Sequence, residues 1–336
     1  MEDYPYISIV VIGYNESNNL NNTLNAIINM NYSPEKIDLI YVDSGSSDGS
    51  IDIAKKYTNR VFVEDKYPSP GRNRNRGLVE AKYDIVHFID GDVIIDKDYL
   101  RNIVHLFEKK NVHAIVGQLD EQKPNIYNKM AALTNVEKKE GYTQFTSTGA
   151  TYLKSSLLAV NGYDERIRRG QESELGERFR KAGYKIWCTG HKMGSHNFGV
   201  NTLWQYIHKY KINAKSMVHI SLIEGDSNYI KSAKLKVAKQ LIKLVIFVLL
   251  LSISIMTMTF YYVIIYLIII WVLRNRSIFI NRFNTEPGLV LLRSFIDFFF
   301  YWMWWYGFLA ELSTYLFCRN NREFYNLKKT VLSGLQ

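Results

Sequence analysis

Oxygen-bearing side chains follow the apolar runs near the start of the 336-residue chain. Two carboxylates two residues apart can offer one oxygen to a metal ion and another to a ribose hydroxyl. Carboxylate oxygens suit Mg²⁺ or Mn²⁺, whose remaining positions diphosphate oxygens can fill. The pattern predicts a nucleotide and divalent-metal site, although an Asp-x-Asp alone is also a polar turn that ends a strand. The side chains concerned are Asn15, Glu16, Asp43, Asp90 and Asp92.

The elements that must position these groups follow from the hydrophobic pattern. Residues 7–12 (ISIVVI) form a β-branched run that suits a strand buried on both faces. Further strands are predicted at 37–42, 61–63 and 84–89, with helices between them, the first capped by Ser17. This order predicts a parallel sheet with helices on both faces. Ligands bind beyond the carboxyl ends of such strands, so the oxygen-bearing groups share one rim.

Two common nucleotide-binding classes are excluded by their missing loops. The first strand is followed by GYNESN rather than by G-x-G-x-x-G, and no G-x-x-x-x-G-K-[ST] loop occurs in the sequence. The net charge of +10 gathers beside the apolar C-terminal third, where lysines occupy 231–243 and arginines 274–282. Such juxtamembrane basic residues indicate a cytoplasmic membrane surface with its anionic lipids rather than a nucleic-acid partner.

Several motifs resemble glycosyltransferase family 2, in that family's order and at roughly its spacing. The similarity covers about residues 6–220 and implies an inverting glycosyltransferase with a GT-A fold, a Rossmann-like, mostly parallel sheet flanked by helices. It also implies a nucleotide-sugar donor, expected to be a UDP-sugar, and Mg²⁺ or Mn²⁺ as cofactor. The motifs are 11–16 (VIGYNE), 43–50 (DSGSSDGS), 74–77 (RNRG), 90–92 (DGD), 148–150 (TGA), 161–165 (NGYDE) and 171–175 (QESEL).

The resemblance implies a role for each matching residue. Its donor-binding residues are Asn15, Glu16, Asp43 at the base, Arg74, Asn75, and Asp90 near ribose and metal, while Asp92 is the direct metal ligand. Asp90 and His196 are further candidate metal ligands, although a loop histidine is more often a packing residue. Arg72, Arg74 and Arg76 also fit a solvated basic loop.

The sequence differs from the family at the position expected for the general base. Glu172 follows Gln171 where the family has Glu-Asp at the start of a helix, and Gly183 marks the helix end. By the resemblance Glu172 takes the proton of the acceptor hydroxyl. The alternative is a charge that only satisfies the helix N-terminus. Gln205 with His208-Lys209 replaces the Q-x-x-R-W of processive synthases, which argues against a polymerase.

The C-terminal third reads as membrane-associated. The run 241–273 is 33 residues long with Lys243 as its one charge, about 50 Å as a single helix against about 30 Å of hydrocarbon. Its hydroxyl-rich middle, 252–259, favours a hairpin over one crossing and keeps both basic flanks inside. The segment 288–317 contains Arg293 and Asp297, which could pair, and reads as an interfacial or membrane helix.

We therefore predict a multi-pass protein of the cell membrane with a cytoplasmic catalytic domain. The N-terminus shows no signal-peptide pattern, and Cys188 and Cys318 are expected to be reduced thiols. A basic C-terminus with Arg319, Arg322, Lys328 and Lys329 is expected inside. The predicted domains are 1–225 (GT-A catalytic), 226–243 (basic juxtamembrane helix or linker), 244–273 (transmembrane) and 274–336 (cytoplasmic loop, the helix 288–317 and the C-terminus).

The predicted activity is metal-dependent transfer of a hexosyl or N-acetylhexosaminyl group to a membrane-associated, lipid-linked acceptor in glycan or glycolipid assembly. The predicted partners are the donor, that acceptor and membrane lipids. One alternative is direct transfer to polyprenyl phosphate. Another, from a different class, is a catalytically inactive nucleotide-sugar-binding scaffold, against which the set Asp90, Asp92 and Glu172 stands.

Overall fold

A computed structural model describes residues 4–65, 69–122, 124–133, 139–196 and 199–317. These form two compact units, one of 4–122 with 139–196 and one of 124–133 with 199–317. Cys318 and the predicted basic C-terminus lie outside the described residues. Cys188 is buried and is a free cysteine among the residues that the structure describes.

The first unit is built on a nine-stranded sheet with the order β3-β2-β1-β4-β8-β6-β9-β5, and β7 pairs with β9. The pairs β1–β2, β1–β4, β2–β3 and β6–β9 are parallel, and the other four are antiparallel. The parallel half is the part predicted from the sequence, so the whole sheet is mixed rather than mostly parallel. The strands are β1 Ile7–Gly13, β2 Ile37–Asp43, β3 Val61–Val63, β4 Ile85–Asp90, β5 Val93–Ile95, β6 Ala114–Glu121, β7 Gly141–Thr143, β8 Thr151–Leu153 and β9 Ile186–His196.

Helices cover both faces of this sheet, because the central strands are apolar on both sides. In β1, Ile9 and Val11 belong to one buried cluster and Val10 and Ile12 to the other. The helices of this unit are α1 Leu20–Ile28, α2 Ser50–Ala54, α3 Pro70–Glu80, α4 Tyr99–Ile103, α5 Leu106–Lys110, α7 Lys154–Ala159 and α8 Gln171–Lys181, with a 3₁₀ turn at Pro34–Lys36.

Helix α3 replaces the basic loop considered for 72–76. Ser69 caps it by accepting a hydrogen bond from the amide of Arg72, and Pro70 occupies its first turn. Gly77 allows the helix to approach the sheet closely, because a Cβ there would lie 2.2 Å from Cγ1 of Val10. Ser17 is not a cap, since its amide donates to Asp48 and α1 begins only at Leu20.

The second unit is helical. Its helices are α6 Ile126–Ala132, α9 Leu203–Leu222, α10 Asn228–Met256, α11 Tyr261–Arg282, α12 Pro287–Phe300 and α13 Trp302–Phe317. Helix α9 begins with a capping box between Thr202 and Gln205. Gln205, which aligns with the glutamine of the Q-x-x-R-W motif, therefore caps a helix here.

Helices α10 and α11, of 29 and 22 residues, are long and apolar enough to cross a membrane by length and composition. The chain turns between them after Met256, within the hydroxyl-rich segment singled out from the sequence. The hydroxyl of Tyr266 donates to the carbonyl of Lys243 at 2.7 Å, so the two helices pack side by side and antiparallel. Arg293 and Asp297 do not pair: Arg293 donates to the carbonyl of Met130, and Asp297 faces Arg274.

Candidate active site

A cleft of about 450 Å³ opens in the first unit where β1, β2 and β4 end. The strand ends contribute Gly13, Ser44 and Asp90 to its lining, and the first turns of α3 and α8 contribute further residues. This is the rim predicted from the strand order. The sequence-predicted residues that line it are Glu16, Arg74, Asp90, Asp92 and Glu172.

Arg74 is the central cation of this cleft. Its side chain is 3% exposed, and its Nη2 donates to Oδ1 of Asp90 at 2.8 Å. Its Nη1 donates to Oε1 of Gln171 at 3.1 Å and lies 3.6 Å from Oε1 of Glu172. The guanidinium also packs 5.3 Å from the ring centroid of Tyr163. One buried arginine therefore holds the end of β4 against the start of α8.

The carboxylates of Glu16, Asp90 and Asp92 lie close together in the cleft. Burial raises the pKa of Glu16, and the charges of Asp92 and Asp90 raise it further, while a hydrogen bond from Asn19 opposes them. Burial likewise raises the pKa of Asp90; Arg74 opposes this, and the charges of Asp92 and Glu172 add to it. Like charges held close together in a partly dry cleft favour binding of a cation.

Asp92 and His196 meet although 104 residues separate them in the chain. Nε2 of His196 lies 2.9 Å from Oδ2 of Asp92. Asp92 directly precedes β5, and the antiparallel register pairs Val93 with His196 at the end of β9. Burial lowers the pKa of His196, but the hydrogen bond to Asp92 and the charges of Asp92 and Asp90 outweigh it, and the pKa is raised.

The residues present fit a divalent metal at this point. Adjacent ligands on an octahedral ion, each about 2.1 Å from it, lie about 3.0 Å apart, which is close to the 2.9 Å between His196 and Asp92. A carboxylate oxygen with an imidazole nitrogen is a donor set that Mn²⁺ accepts. No group of three or more His, Cys, Asp or Glu side chains placed to hold a metal occurs among the described residues.

Glu172 points into the cleft from the first turn of α8. The helix starts after Gly170, whose φ of 80° lies in the left-handed region that favours glycine. Oγ1 of Thr148 lies 3.4 Å from Oε1 of Glu172, and Oγ1 of Thr146 donates to its carbonyl at 2.6 Å. The neighbouring Glu174 is buried and forms a two-point pair with Arg178, at 2.8 and 2.7 Å. Of these two glutamates, only Glu172 lines the cleft.

Two predicted donor-binding residues lie at the rim but do not line the cleft. Asn15 joins the loops after β1 and β2: its amide donates to Oγ of Ser46, and its Oδ1 accepts from the amide of Ser47. Asp43 is fully buried and accepts hydrogen bonds from the hydroxyls of Tyr41 and Ser46 at 2.7 and 2.8 Å. Both side chains shape the loop at the end of β2.

Asn75 is also away from the cleft. Its Nδ2 donates to the carbonyl of Tyr163 and to Oε1 of Glu165, both at 2.9 Å, and its Oδ1 accepts from the amide of Tyr163 at 2.8 Å. The buried amide thus uses both ends to fasten α3 to the segment 163–165. The neighbouring arginines do not line the cleft either, since Arg72 forms an ion pair with Glu64 and Arg76 forms one with Glu80.

Sequence reasoning missed several residues that line the cleft, among them Asn73, Arg168 and Arg169. Asn73 donates to Oγ of Ser44 at 2.8 Å. The signal that could have found it is helical spacing, because Pro70, Asn73 and Arg74 share one face once α3 is recognised as a helix. The two arginines come from the loop before α8, where no local sequence pattern predicts that they line the cleft.

Comparison with known proteins agrees with this architecture. Residues 8–161 match the model of glycosyl transferase family 2. A mannosyltransferase of Pyrobaculum calidifontis, solved in complex with GDP-Man and Mn²⁺, superposes with a TM-score of 0.53 at 18% identity, covering 69% of each chain. The fold of the first unit is therefore of the GT-A type. Over residues 8–161 the chain is similar to glycosyl transferase family 2.

Sequence relatives point to the same family. Glycosyltransferase AglE of Haloferax volcanii is 24% identical over 203 residues, which cover 57% of this chain and 67% of the relative. The O-antigen chain rhamnosyltransferase WbaN of Salmonella anatum is 33% identical over 181 residues, or 48% and 57% of the two chains. The minor teichoic acid biosynthesis protein GgaB of Bacillus subtilis is 27% identical, with 20% of its length covered. The chain thus spans only part of these relatives.

Proposed function

We propose that the protein transfers a hexosyl or N-acetylhexosaminyl group from a nucleoside diphosphate sugar to a hydroxyl of a membrane-associated acceptor. The observation that carries this proposal is the cleft itself, where Asp92, Arg74 and Glu172 line one cavity of about 450 Å³. Metal-binding, charge-balancing and proton-accepting groups are all within reach of one bound donor. The family relationship supports the same reaction class.

In the proposed site Asp92 and His196 would hold Mg²⁺ or Mn²⁺, and Asp90 would bind the ribose. When bound, the metal neutralises charge on the departing nucleoside diphosphate. Arg74 keeps Asp90 in place through its 2.8 Å hydrogen bond. This contact orients Asp90 before the donor binds. A group that is already oriented can stabilise the transition state without the free-energy cost of moving into place.

The proposed base is Glu172. An acceptor hydroxyl attacks the anomeric carbon as the bond from that carbon to the diphosphate breaks, and the hydroxyl proton passes to the Glu172 carboxylate. Thr148 and Arg74 lie 3.4 and 3.6 Å from Oε1 of this carboxylate and fix its direction. The single displacement makes the transfer inverting.

We further propose that α10 and α11 cross the membrane, with the catalytic unit on the cytoplasmic side. The basic residues support this orientation, because the start of α10 carries Lys231, Lys234 and Lys236 and the end of α11 carries Arg274 and Arg276. In an antiparallel pair these two ends lie at the same membrane face. A membrane-held transferase suits a lipid-linked acceptor.

The test is a donor screen by thermal shift across UDP-, GDP- and dTDP-sugars, each with Mn²⁺ and with chelator. We expect one nucleotide class to raise the melting temperature in a metal-dependent way and to be hydrolysed slowly without acceptor. Stabilisation by a donor with no hydrolysis or transfer would instead identify a binding scaffold. Transfer to polyprenyl phosphate itself, rather than to a lipid-linked sugar, would identify the other predicted enzyme.

A further inference from the structure

The second unit contains an apolar groove of about 480 Å³. Its walls come from α10, α11, α12 and α13 and consist mainly of aromatic and aliphatic side chains, such as Phe247, Trp271 and Trp305. It belongs to the helical unit alone and shares no residue with the catalytic cleft. The groove is therefore a second cavity, lined by a different set of residues.

Three charged residues line this groove: Lys243, Arg274 and Asp297. Nε of Arg274 lies 3.5 Å from Oδ2 of Asp297, and its guanidinium packs 4.1 Å from the ring centroid of Tyr301. The Asp297 carboxylate also accepts the hydroxyl of Tyr210. Arg274 is therefore matched by one carboxylate within the protein.

Lys243 is not matched in this way. Its ammonium forms no ion pair with any residue that the structure describes, and it is half-buried among apolar neighbours. The groove consequently keeps one uncompensated positive charge. A cation in partly apolar surroundings favours an anionic ligand.

The position of the charged residues within the helix pair limits the class of ligand that the groove can bind. Lys243 and Arg274 both lie at the end of the pair remote from the turn that follows Met256. Phe247 and Leu267, further toward that turn, continue the groove as an apolar surface. A ligand that satisfies both parts has an anionic head and a long apolar chain.

We propose that this groove binds one anionic membrane lipid, with its phosphate at Lys243 and Arg274 and its chain along Phe247 and Leu267. The proposal rests on the membrane insertion of α10 and α11 and is independent of the transferase chemistry. A zwitterionic lipid carries its own cation beside the phosphate and leaves the Lys243 charge unbalanced. An anionic phosphate head balances it.

Tryptophan fluorescence tests this, because Trp271, Trp302 and Trp305 line the groove. The full chain is placed in phosphatidylcholine nanodiscs that contain a minor fraction of either brominated phosphatidylglycerol or brominated phosphatidylcholine. We expect the anionic brominated lipid to quench several times more strongly at equal fraction. Equal quenching by the two lipids would overturn the proposal.

Variants locate the effect. Lys243→Gln should reduce the preference for the anionic lipid about fivefold, the effect of about one basic residue near a membrane surface. The matched control Lys236→Gln removes the same charge from the exposed face of α10, outside the groove, and should change the preference much less. Leu267→Phe, which fills the groove and keeps all charges, should weaken quenching by both lipids. An equal effect of Lys236→Gln would assign the preference to general surface charge and refute a groove site.

Two further measurements distinguish a lipid site from a simple phosphate site and check that the helix pair is inserted. Inorganic phosphate, compared with chloride at the same ionic strength, should not relieve the quenching. Relief by phosphate would indicate a phosphate site without a lipid and would overturn the proposal. Resistance of the protein to carbonate extraction tests membrane insertion directly, and the quenching assay needs no donor sugar. Failure of the lipid site is therefore distinguishable from failure of the proposed transferase.

Discussion

The proposed catalytic cleft and the proposed lipid groove differ in how their charged residues are paired. In the cleft, charged groups already contact one another, as Arg74 does with Asp90 and His196 with Asp92. In the groove, most of the wall is apolar, and Lys243 has no counter-charge among the residues that the structure describes. The charged side chains of the cleft are thus oriented before a ligand binds. The groove instead provides an apolar wall and one unpaired positive charge. Cleft variants should therefore change chemistry, and groove variants should change partner choice.

The largest expected effect comes from Glu172→Gln. The variant keeps the shape of the side chain but cannot take the acceptor proton, so transfer should fall by about 10²–10⁴-fold. Donor affinity should be unchanged, because the proposed nucleotide contacts lie on other elements. Turnover and donor affinity, measured on the same preparation, check this, and the lipid preference should not move.

Glu174→Gln is its matched control, two residues further along α8. Glu174 is buried and forms an ion pair with Arg178. Loss of its charge should therefore lower thermal stability and change turnover by no more than a few fold. If Glu174→Gln were the crippled variant, or if both variants kept full transfer, Glu172 would be only a charge at a helix end. The cleft would then lose the feature that most distinguishes it from the groove.

Asp92→Asn should lower turnover about a hundredfold, because a neutral amide is a poor ligand for a hard cation and about 2.7 kcal/mol of stabilisation is lost. The dependence of the rate on Mn²⁺ concentration should shift to higher values. Asp52→Asn removes an exposed carboxylate of the same unit and is the control. Full activity of Asp92→Asn in the presence of chelator would remove the metal from the proposed mechanism.

Asp43→Ala should weaken UDP binding about tenfold to thirtyfold, with a smaller effect on turnover of the bound donor. Removal of the buried carboxylate releases Ser46 and Tyr41 and lets the loop at the end of β2 move. Asp38→Ala, at the other end of β2 and paired with Arg60, should lower stability without changing UDP affinity. Calorimetric titration of both variants decides whether Asp43 has more than a structural role.

The smallest expected effect comes from His87, which does not line the cleft. It lies buried in β4, with Nδ1 2.9 Å from Oγ1 of Thr151, and burial lowers its pKa to about 3. The unfolded chain, with an ordinary histidine pKa near 6.5, binds more protons between these values. This contribution to stability is therefore fully present well above pH 6.5 and falls on acidification, by about 1.4 kcal/mol at pH 5.5.

Thermal unfolding of the wild type and His87→Gln between pH 5.5 and 7.5 measures this contribution. The variant should show a flatter pH dependence of its melting temperature, with transfer and lipid preference unaffected. A parallel pH dependence in both proteins would show that His87 does not carry the acid sensitivity of the sheet.

The sequence predicted the parallel half of the fold and much of its rim. Continuous apolar runs locate β1, β2, β3 and β4 within a residue or so, because a strand buried on both faces has few compositional alternatives. Helix α8 was also predicted correctly, with Leu175 and Phe179 buried and the left-handed Gly183 directly after its C-cap. Five of the predicted site residues consequently line the cleft.

The antiparallel half was not predictable in the same way. The pairing of β5 with β9 depends on a three-residue strand that no local pattern distinguishes. Asn75 resembles the donor-pocket residues by its position beside Arg74, yet the two side chains leave α3 in different directions. The inward turn of Arg74 depends on its packing against Tyr163 and its hydrogen bond with Asp90, contacts that only the folded chain provides.

The separation of Asp92 from His196 has a consequence for biosynthesis. A ribosome that adds about 5–20 residues per second takes roughly 5–20 s to make the 104 residues between them. During that interval the acidic turn after β4 exists on the nascent polypeptide without its histidine. The proposed metal pocket is complete only after β9 has emerged and joined the sheet. The proposed transferase would therefore be inactive during translation until nearly two hundred residues have left the exit tunnel.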